Sequence, residues 1–106
     1  MIILTIENVP GKKIIEVKGL VKGSTVRAKH IGKDIGASFK QLVGGELNGY
    51  DEMLTEARKI AIARMVEDAK NQGANAIIGF RLTSAAVMQG AAEMLAYGTG
   101  VVVEDE

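Results

Sequence analysis

The sequence predicts an α+β domain whose elements run strand-strand-helix-helix-strand-strand. Two observations lead there. Short runs of β-branched residues broken by glycine lie near both ends of the chain, in IILTIE, KKIIEVKGLVKGSTVRA, AIIGFRL and EMLAYGTGVVV. Between them, Tyr50 to Gln72 repeats its apolar residues at helical spacing. A length of 106 residues supports one core, so residues 1–106 read as a single domain.

Taken in order, Ile2 to Glu7 is a short β-branched strand, and Asn8-Val9-Pro10-Gly11 is turn chemistry: proline presets φ and glycine accepts a positive one. From Lys12 to Ala28 the apolar residues change phase near Gly19 and Gly23. That pattern fits one long strand bulged at the glycines, or two short ones. Asp34 is placed to cap a first helix carrying Ile35, Phe39, Leu42 and Val43 on one side, with Gly44-Gly45 as its stop. The second helix spans about Tyr50 to Gln72, with Gly73 as its left-handed cap. Tyr50, Met53, Leu54, Ala57, Ile60, Ala61 and Met65 form one apolar arc, and Ile62, Val66 and Ala69 widen it beyond an ordinary stripe. The surplus face predicts contact with a second subunit. Ala76 to Leu82 and Glu93 to Val103 complete the strands, with a bulge or bend expected at Gly98 and Gly100. SAAVMQGAA reads as a flexible connection too long for a tight hairpin, and the acidic tail Glu104-Asp105-Glu106 as a solvated terminus.

Composition narrows the function. Lysine plus arginine and aspartate plus glutamate both number 13, so the chain is formally neutral and lacks the excess charge that drives general nucleic-acid binding. The absence of cysteine excludes disulfides, thiolate catalysis, zinc ribbons and iron–sulfur clusters. No apolar run reaches the roughly 18 residues of a membrane span, and the N-terminus has no basic leader. The expectation is a cytoplasmic protein with neither nucleic-acid nor membrane partners. Without tryptophan, and with only two phenylalanines and two tyrosines, the core must be built from aliphatic and alanine contacts. Self-association would supplement so small a core.

The densest chemistry lies in TVRAKHIGKDIGASF, from Thr25 to Phe39. Arg27, Lys29 and Lys33 could supply charge to an anion cradle, completed by backbone amides near Gly32 or by the following helix N-terminus. The alternative is that these charges face solvent and Asp34 simply caps a helix. His30 is the one histidine, so a metal site would need Asp34 or Glu46 and copies from other subunits. Met53 and Met65 lie on the apolar helix face and read as core. Ser24, Ser38 and Ser84 lack a nucleophile context. Arg58 and Arg64, near the apolar arc, read as intersubunit ion-pair residues. The nearest acid to the basic cluster beyond Asp34 is Glu46, so charge balance points to carboxylates of a neighbouring subunit or to a bound anion.

Several segments in the same order resemble the YbjQ-type family of small prokaryotic proteins: NVPG, VKGLVKGSTVRAKHIGKDI, VGGEL, GANAIIGFR and MQGAAEMLAYGTGV. The family carries a heavy-metal-binding label. The resemblance implies a dodecin-like α+β subunit assembled as a ring-shaped homo-oligomer, a homopentamer. No metal-ligand set of the family maps onto these residues, and no cofactor is assigned.

The favoured reading is a non-enzymatic ring that binds a small anion or a metal ion, with Arg27, His30, Lys33 and Asp34 as ligand-binding residues at a subunit boundary. The competing classes are an enzyme with an intersubunit site around Arg27, His30 and Asp34, and a structural or adaptor ring.

Overall fold

The computed structural model describes residues 1–28 and 47–106. They form strand β1 (Ile2–Ile3), strand β2 (Lys12–Ala28), helix α1 (Leu47–Asn71), strand β3 (Ala76–Met88) and strand β4 (Ala91–Asp105). The sheet order is β1-β3-β4-β2, with β1 parallel to β3 and the other pairs antiparallel. The chain is thus α+β, with one helix among the described residues. The first helix expected after Asp34 lies outside them.

Helix α1 lies along β2, touches β4 less and barely reaches β3. Its inward stripe is Ala57, Ala61, Met65 and Ala69, all buried, against Val21, Ile77, Met94 and Ala96. Three of those four helix positions are alanine, so the backbone comes down onto the sheet. Gly23 receives it. A Cβ built at Gly23 would stand 2.2 Å from the Met65 backbone nitrogen and 2.3 Å from the Ala61 carbonyl oxygen. Gly23 therefore marks a close approach of helix and strand rather than a bulge.

The helix ends as its sequence predicts. Gly73 has φ +85°; its N–H donates to the Lys70 carbonyl at 3.0 Å, and the Ala74 N–H donates to the Ala69 carbonyl at 2.9 Å. This is the Schellman pattern, closed by contact between buried Ala69 and Ala74. The expected surplus apolar face is largely used within the chain: Ile62 and Val66 are partly buried against the same core, and Ala69 is fully buried.

A second, smaller core occupies the other face of the sheet, built from Val9, Ala76, Ile78, Val101 and Val103 with Ile2 and Leu4 against it. The N-terminal segment folds over this face and turns back at Val9-Pro10-Gly11-Lys12. There the Lys12 N–H donates to the Val9 carbonyl at 3.0 Å and Gly11 has φ +80°, the type II arrangement for Pro-Gly. The first strand is shorter than Ile2 to Glu7. After Ile3, the chain follows β3 through bonds from Leu4 N–H to the Ile77 carbonyl, Gly79 N–H to the Ile6 carbonyl and Phe80 N–H to the Leu4 carbonyl. Regular pairing stops there because β3 carries a bulge, with Gly79 and Phe80 set opposite Gly98.

Other expectations are corrected by the register. β2 is one strand, with Ile15 and Lys18 as extra residues; the irregularity expected near Gly19 is there, between Val17 and Gly19, and Gly23 has none. β4 has no extra residue of its own, and the bulge expected at Gly98 lies on the facing strand, where Gly79 and Phe80 stand opposite it; Gly98 and Gly100 also let neighbouring side chains in, a Cβ at Gly100 falling 2.9 Å from Val21 Cγ1. SAAVMQGAA is no loose connection: β3 and β4 continue through it to a two-residue loop at Gln89-Gly90, with Met88 paired to Ala91. The acidic tail joins the ladder. Lys12 Nζ lies 2.6 Å from Asp105 Oδ1, and Lys13 Nζ 3.3 Å from Glu104 Oε1. The hydrogen bond and charge of Lys12 hold the Asp105 carboxyl below its ordinary value.

Asn75 extends the sheet past the start of β3. Its side-chain NH₂ donates to the Val103 carbonyl at 2.9 Å, and its Oδ1 accepts the Val103 N–H at 2.8 Å. The amide stands in for a further ladder residue.

Two stability predictions follow from these contacts. Gly23→Ala drives a methyl into helix backbone that cannot rotate aside, and should destabilise the fold by about 3 kcal/mol in urea titrations. An unchanged midpoint would contradict the close approach. Asn75→Ala should cost about 2 kcal/mol by leaving both Val103 groups unpaired; Asn75→Asp, which keeps only the acceptor, should be the test of the donor's share.

Candidate functional site

Arg27 lies near the end of β2, opposite Ala92 of β4, on the face that carries α1. Strand alternation puts Val21, Gly23, Thr25 and Arg27 on that face, and the helix passes over it. Arg27 Nη2 donates to Glu56 Oε1 at 2.7 Å, with the two side chains 38% and 65% exposed. Its Nε is buried and has no hydrogen-bond partner among the described residues.

Glu56 opens into a shallow cleft of about 450 Å³ lined by Asp51, Glu52, Thr55, Glu56 and Lys59. Beside it, Met53 and Leu54 of the helix face Ala86, Met88, Ala91 and Ala92 of the hairpin across an apolar hollow of about 240 Å³. The end of β2 therefore meets an acidic helix surface and an apolar hairpin tip. Arg27 pairs with the acidic surface through Glu56.

Of the residues singled out in the basic cluster, Arg27 is the one whose surroundings are described. Lys29, His30, Gly32, Lys33 and Asp34 lie outside the described residues, as do Ser38 and Glu46. The charge-balance argument needs one amendment: Glu56 supplies Arg27 with a carboxylate from the same chain. Nothing in the local sequence marks that partner, because the pair forms only when α1 packs back across β2.

The helix arginines have intrachain roles. Arg64 Nη1 donates to the Ser24 carbonyl at 2.7 Å, and Arg58 Nη2 to Thr55 Oγ1 at 3.3 Å. Asp68 and Gln72 also reach β2: Asp68 Oδ2 accepts the Lys22 N–H at 2.9 Å, and Gln72 Nε2 donates to the Leu20 carbonyl at 3.1 Å. The four-residue spacing of Arg64, Asp68 and Gln72 is a readable polar stripe, though its target is not. Met65 is fully buried in the core, while Met53 lines the apolar hollow. Among the described residues no three of histidine, aspartate and glutamate gather as metal ligands, and no helix is long and apolar enough to cross a membrane.

The face of the sheet away from α1 carries a further feature. Register places Val17, Leu20, Lys22, Ser24 and Val26 of β2 beside Val101, Thr99, Tyr97, Leu95 and Glu93 of β4. Val17, Leu20 and Val26 are 64%, 62% and 56% exposed. Large apolar side chains are thus presented outward next to the smaller core.

Residues 1–104 match a family model described as "Putative heavy-metal-binding". A UPF0145 protein of Clostridioides difficile is 76% identical over 106 residues, which is 100% of this chain and 95% of that one. A UPF0145 protein of Clostridium perfringens is 69% identical over 105 residues, 99% of each. A UPF0145 protein of Thermotoga maritima is 57% identical over 104 residues, 98% of each. The crystal structure of a DUF74-family protein of unknown function from Pediococcus pentosaceus shares the fold, with a TM-score of 0.62 over 98% of each chain at 19% identity. With a match along nearly its whole length and relatives this similar, the chain belongs to the YbjQ-type, UPF0145 family.

Proposed function

We propose that the protein works as a ring-shaped homo-oligomer, a pentamer, that binds a small anion at a subunit boundary through Arg27, His30, Lys33 and Asp34. The observation that carries the assembly is the row of exposed Val17, Leu20 and Val26 on β2. Val17 and Leu20 are neighbours on that face and Val26 lies beyond Lys22 and Ser24, so exposed apolar side chains run along the strand where a partner could cover them. A neighbouring copy would bury it.

Arg27 supports the choice of an anion. A guanidinium presents several donors in one plane, and the pair with Glu56 occupies one of its ends. Lys29 and Lys33 add charge close by in the sequence. The family's metal label fits this chain less well. Heavy metals of soft character take thiolate ligands, and the chain has no cysteine and a single histidine. That donor set does not make a thiolate site, and no step is built on a metal.

Assembly and binding are separable by experiment. Native mass spectrometry should give a single species at about five times the 11.2 kDa chain mass. Leu20→Glu should yield a folded monomer, since the side chain is exposed in the subunit but would bury a charge in the ring at a cost of several kcal/mol. Ile62→Glu, by contrast, should lower the melting temperature of the subunit itself, because Ile62 packs against its own core. A stable monomer of the unmutated chain at micromolar concentration would end the ring reading. For the ligand, calorimetric titration with inorganic phosphate should show binding that Arg27→Ala weakens about tenfold or more. Lys13→Ala, at the far end of β2, should bind as the parent does. Equal affinities in all three proteins would remove Arg27 from the site.

A further inference from the structure

Among the described residues the sheet has two outer strands, and β2 is the long one. A strand of this length with exposed Val17, Leu20 and Val26 is a template for an added strand, because among the described residues one side of its backbone has no ladder. Register irregularities at Ile15 and Lys18 disrupt the N-terminal part of that edge. From Gly19 to Ala28 the pairing to β4 is regular, and the edge needs another form of protection.

Helix α1 reaches over this stretch. Gln72 Nε2 donates to the Leu20 carbonyl, Asp68 Oδ2 accepts the Lys22 N–H, and Arg64 Nη1 donates to the Ser24 carbonyl. Gln72 Nε2 also donates to Asp68 Oδ1 at 3.1 Å, which ties two of the three together. In an antiparallel strand, backbone groups of alternate residues point to opposite sides. Residues 20, 22 and 24 are therefore the ones whose groups face away from β4.

The spacing suits the task. Four residues of α-helix rise about 6 Å, and two residues of strand about 6.7 Å. An i, i+4, i+8 row on the helix thus keeps step with i, i+2, i+4 on the strand, running in the opposite direction. The chemistry matches as well: each carbonyl meets a donor and the N–H meets a carboxylate. Two of the three contacts involve a charged group and are roughly twice as strong as neutral ones.

We propose that Arg64, Asp68 and Gln72 form an edge guard, which keeps the outer edge of β2 from pairing with a strand of a second copy of this chain. An incoming strand needs both backbone groups of Leu20, Lys22 and Ser24, and it must displace all three side chains to get them. The guard works only because Gly23 brings the helix so close to β2. It leaves the outward apolar row of β2 available for side-chain contact while closing the backbone beneath it.

The test uses alanine, the best helix former, so that α1 is not weakened. In Asp68→Ala, the Lys22 amide should exchange with deuterium faster by on the order of tenfold, while Val21 and Gly23, bonded to β4, keep their parent rates. The triple variant Arg64→Ala/Asp68→Ala/Gln72→Ala should sediment as species larger than the parent, increasingly so with concentration. In those species the Lys22 amide should become protected again, now by a strand of another copy. Asp68→Asn, which retains an acceptor, should behave as the parent. A triple variant that sediments as the parent does overturns the proposal. So do larger species in which Lys22 stays unprotected, because they would associate through another surface. Should the triple variant fail to fold, Arg64→Ala/Gln72→Ala is read instead at the Leu20 and Ser24 amides, which also face away from β4 and should gain protection in the larger species, since Lys22 stays bonded to Asp68. The comparison is always with the parent's own mass, so the result stands whether or not the parent is a ring.

Discussion

The absence of a side chain at Gly23 sets the distance between the two layers, and most of the architecture follows from that distance. Met65 N and Ala61 O stand where a Cβ would be, so the helix rests on β2 through its backbone. Along this seam the helix presents Ala57, Ala61 and Ala69, with Met65 as the one large side chain of the inward stripe. The scarcity of aromatic residues is then a packing requirement as much as a composition. The same proximity lets short and medium side chains of α1 reach the backbone of β2, and it brings Glu56 to Arg27. A helix standing a few ångströms higher would offer none of these contacts.

Legibility in the sequence followed how local each determinant is. The helix from Tyr50, its stop at Gly73 and the Val9-Pro10-Gly11 turn were readable because each is fixed by neighbours a few residues away. The hairpin through SAAVMQGAA was not. Ser84, Ala85 and Ala86 have little strand preference of their own, and β4 imposes their extended form. Gly23 reads in sequence as a bulge and is a close approach instead, since the two leave the same mark in a sequence, whereas Gly98 does face a bulge. In the sequence the wide apolar arc of α1 reads as surplus. In three dimensions Ile62 and Val66 find partners at home, and the outward apolar surface appears on β2 instead.

The candidate site divides in the same way. A cluster of charges at Arg27, His30, Lys33 and Asp34 is visible as a list, whereas its counter-charges depend on tertiary packing. Glu56 is distant in sequence and belongs to a different element, so only the docking of α1 makes it a partner. Membership of the UPF0145 family fixes the kind of chain this is. The chemistry of the site rests on its own residues, in particular on a cationic strand end set against an acidic helix surface.

The placement of β4 has a consequence for how the chain acquires its shape. β4 lies between β3 and β2, and it is the last strand in the chain. Ile2 pairs with Ala76, and Lys12 with Asp105, so neither of the first two strands meets its partner until most of the polypeptide exists. Among the described residues, only the β3–β4 hairpin closes through a short loop. Contacts between distant positions carry a large loop-closure cost before they stabilise anything, which slows folding. Synthesis runs from the N-terminus, so Ile14, Val17 and Leu20 are made before the β4 residues they pair with. β2 can complete its ladder only once β4 has been made, and until then its apolar residues are open to wrong partners.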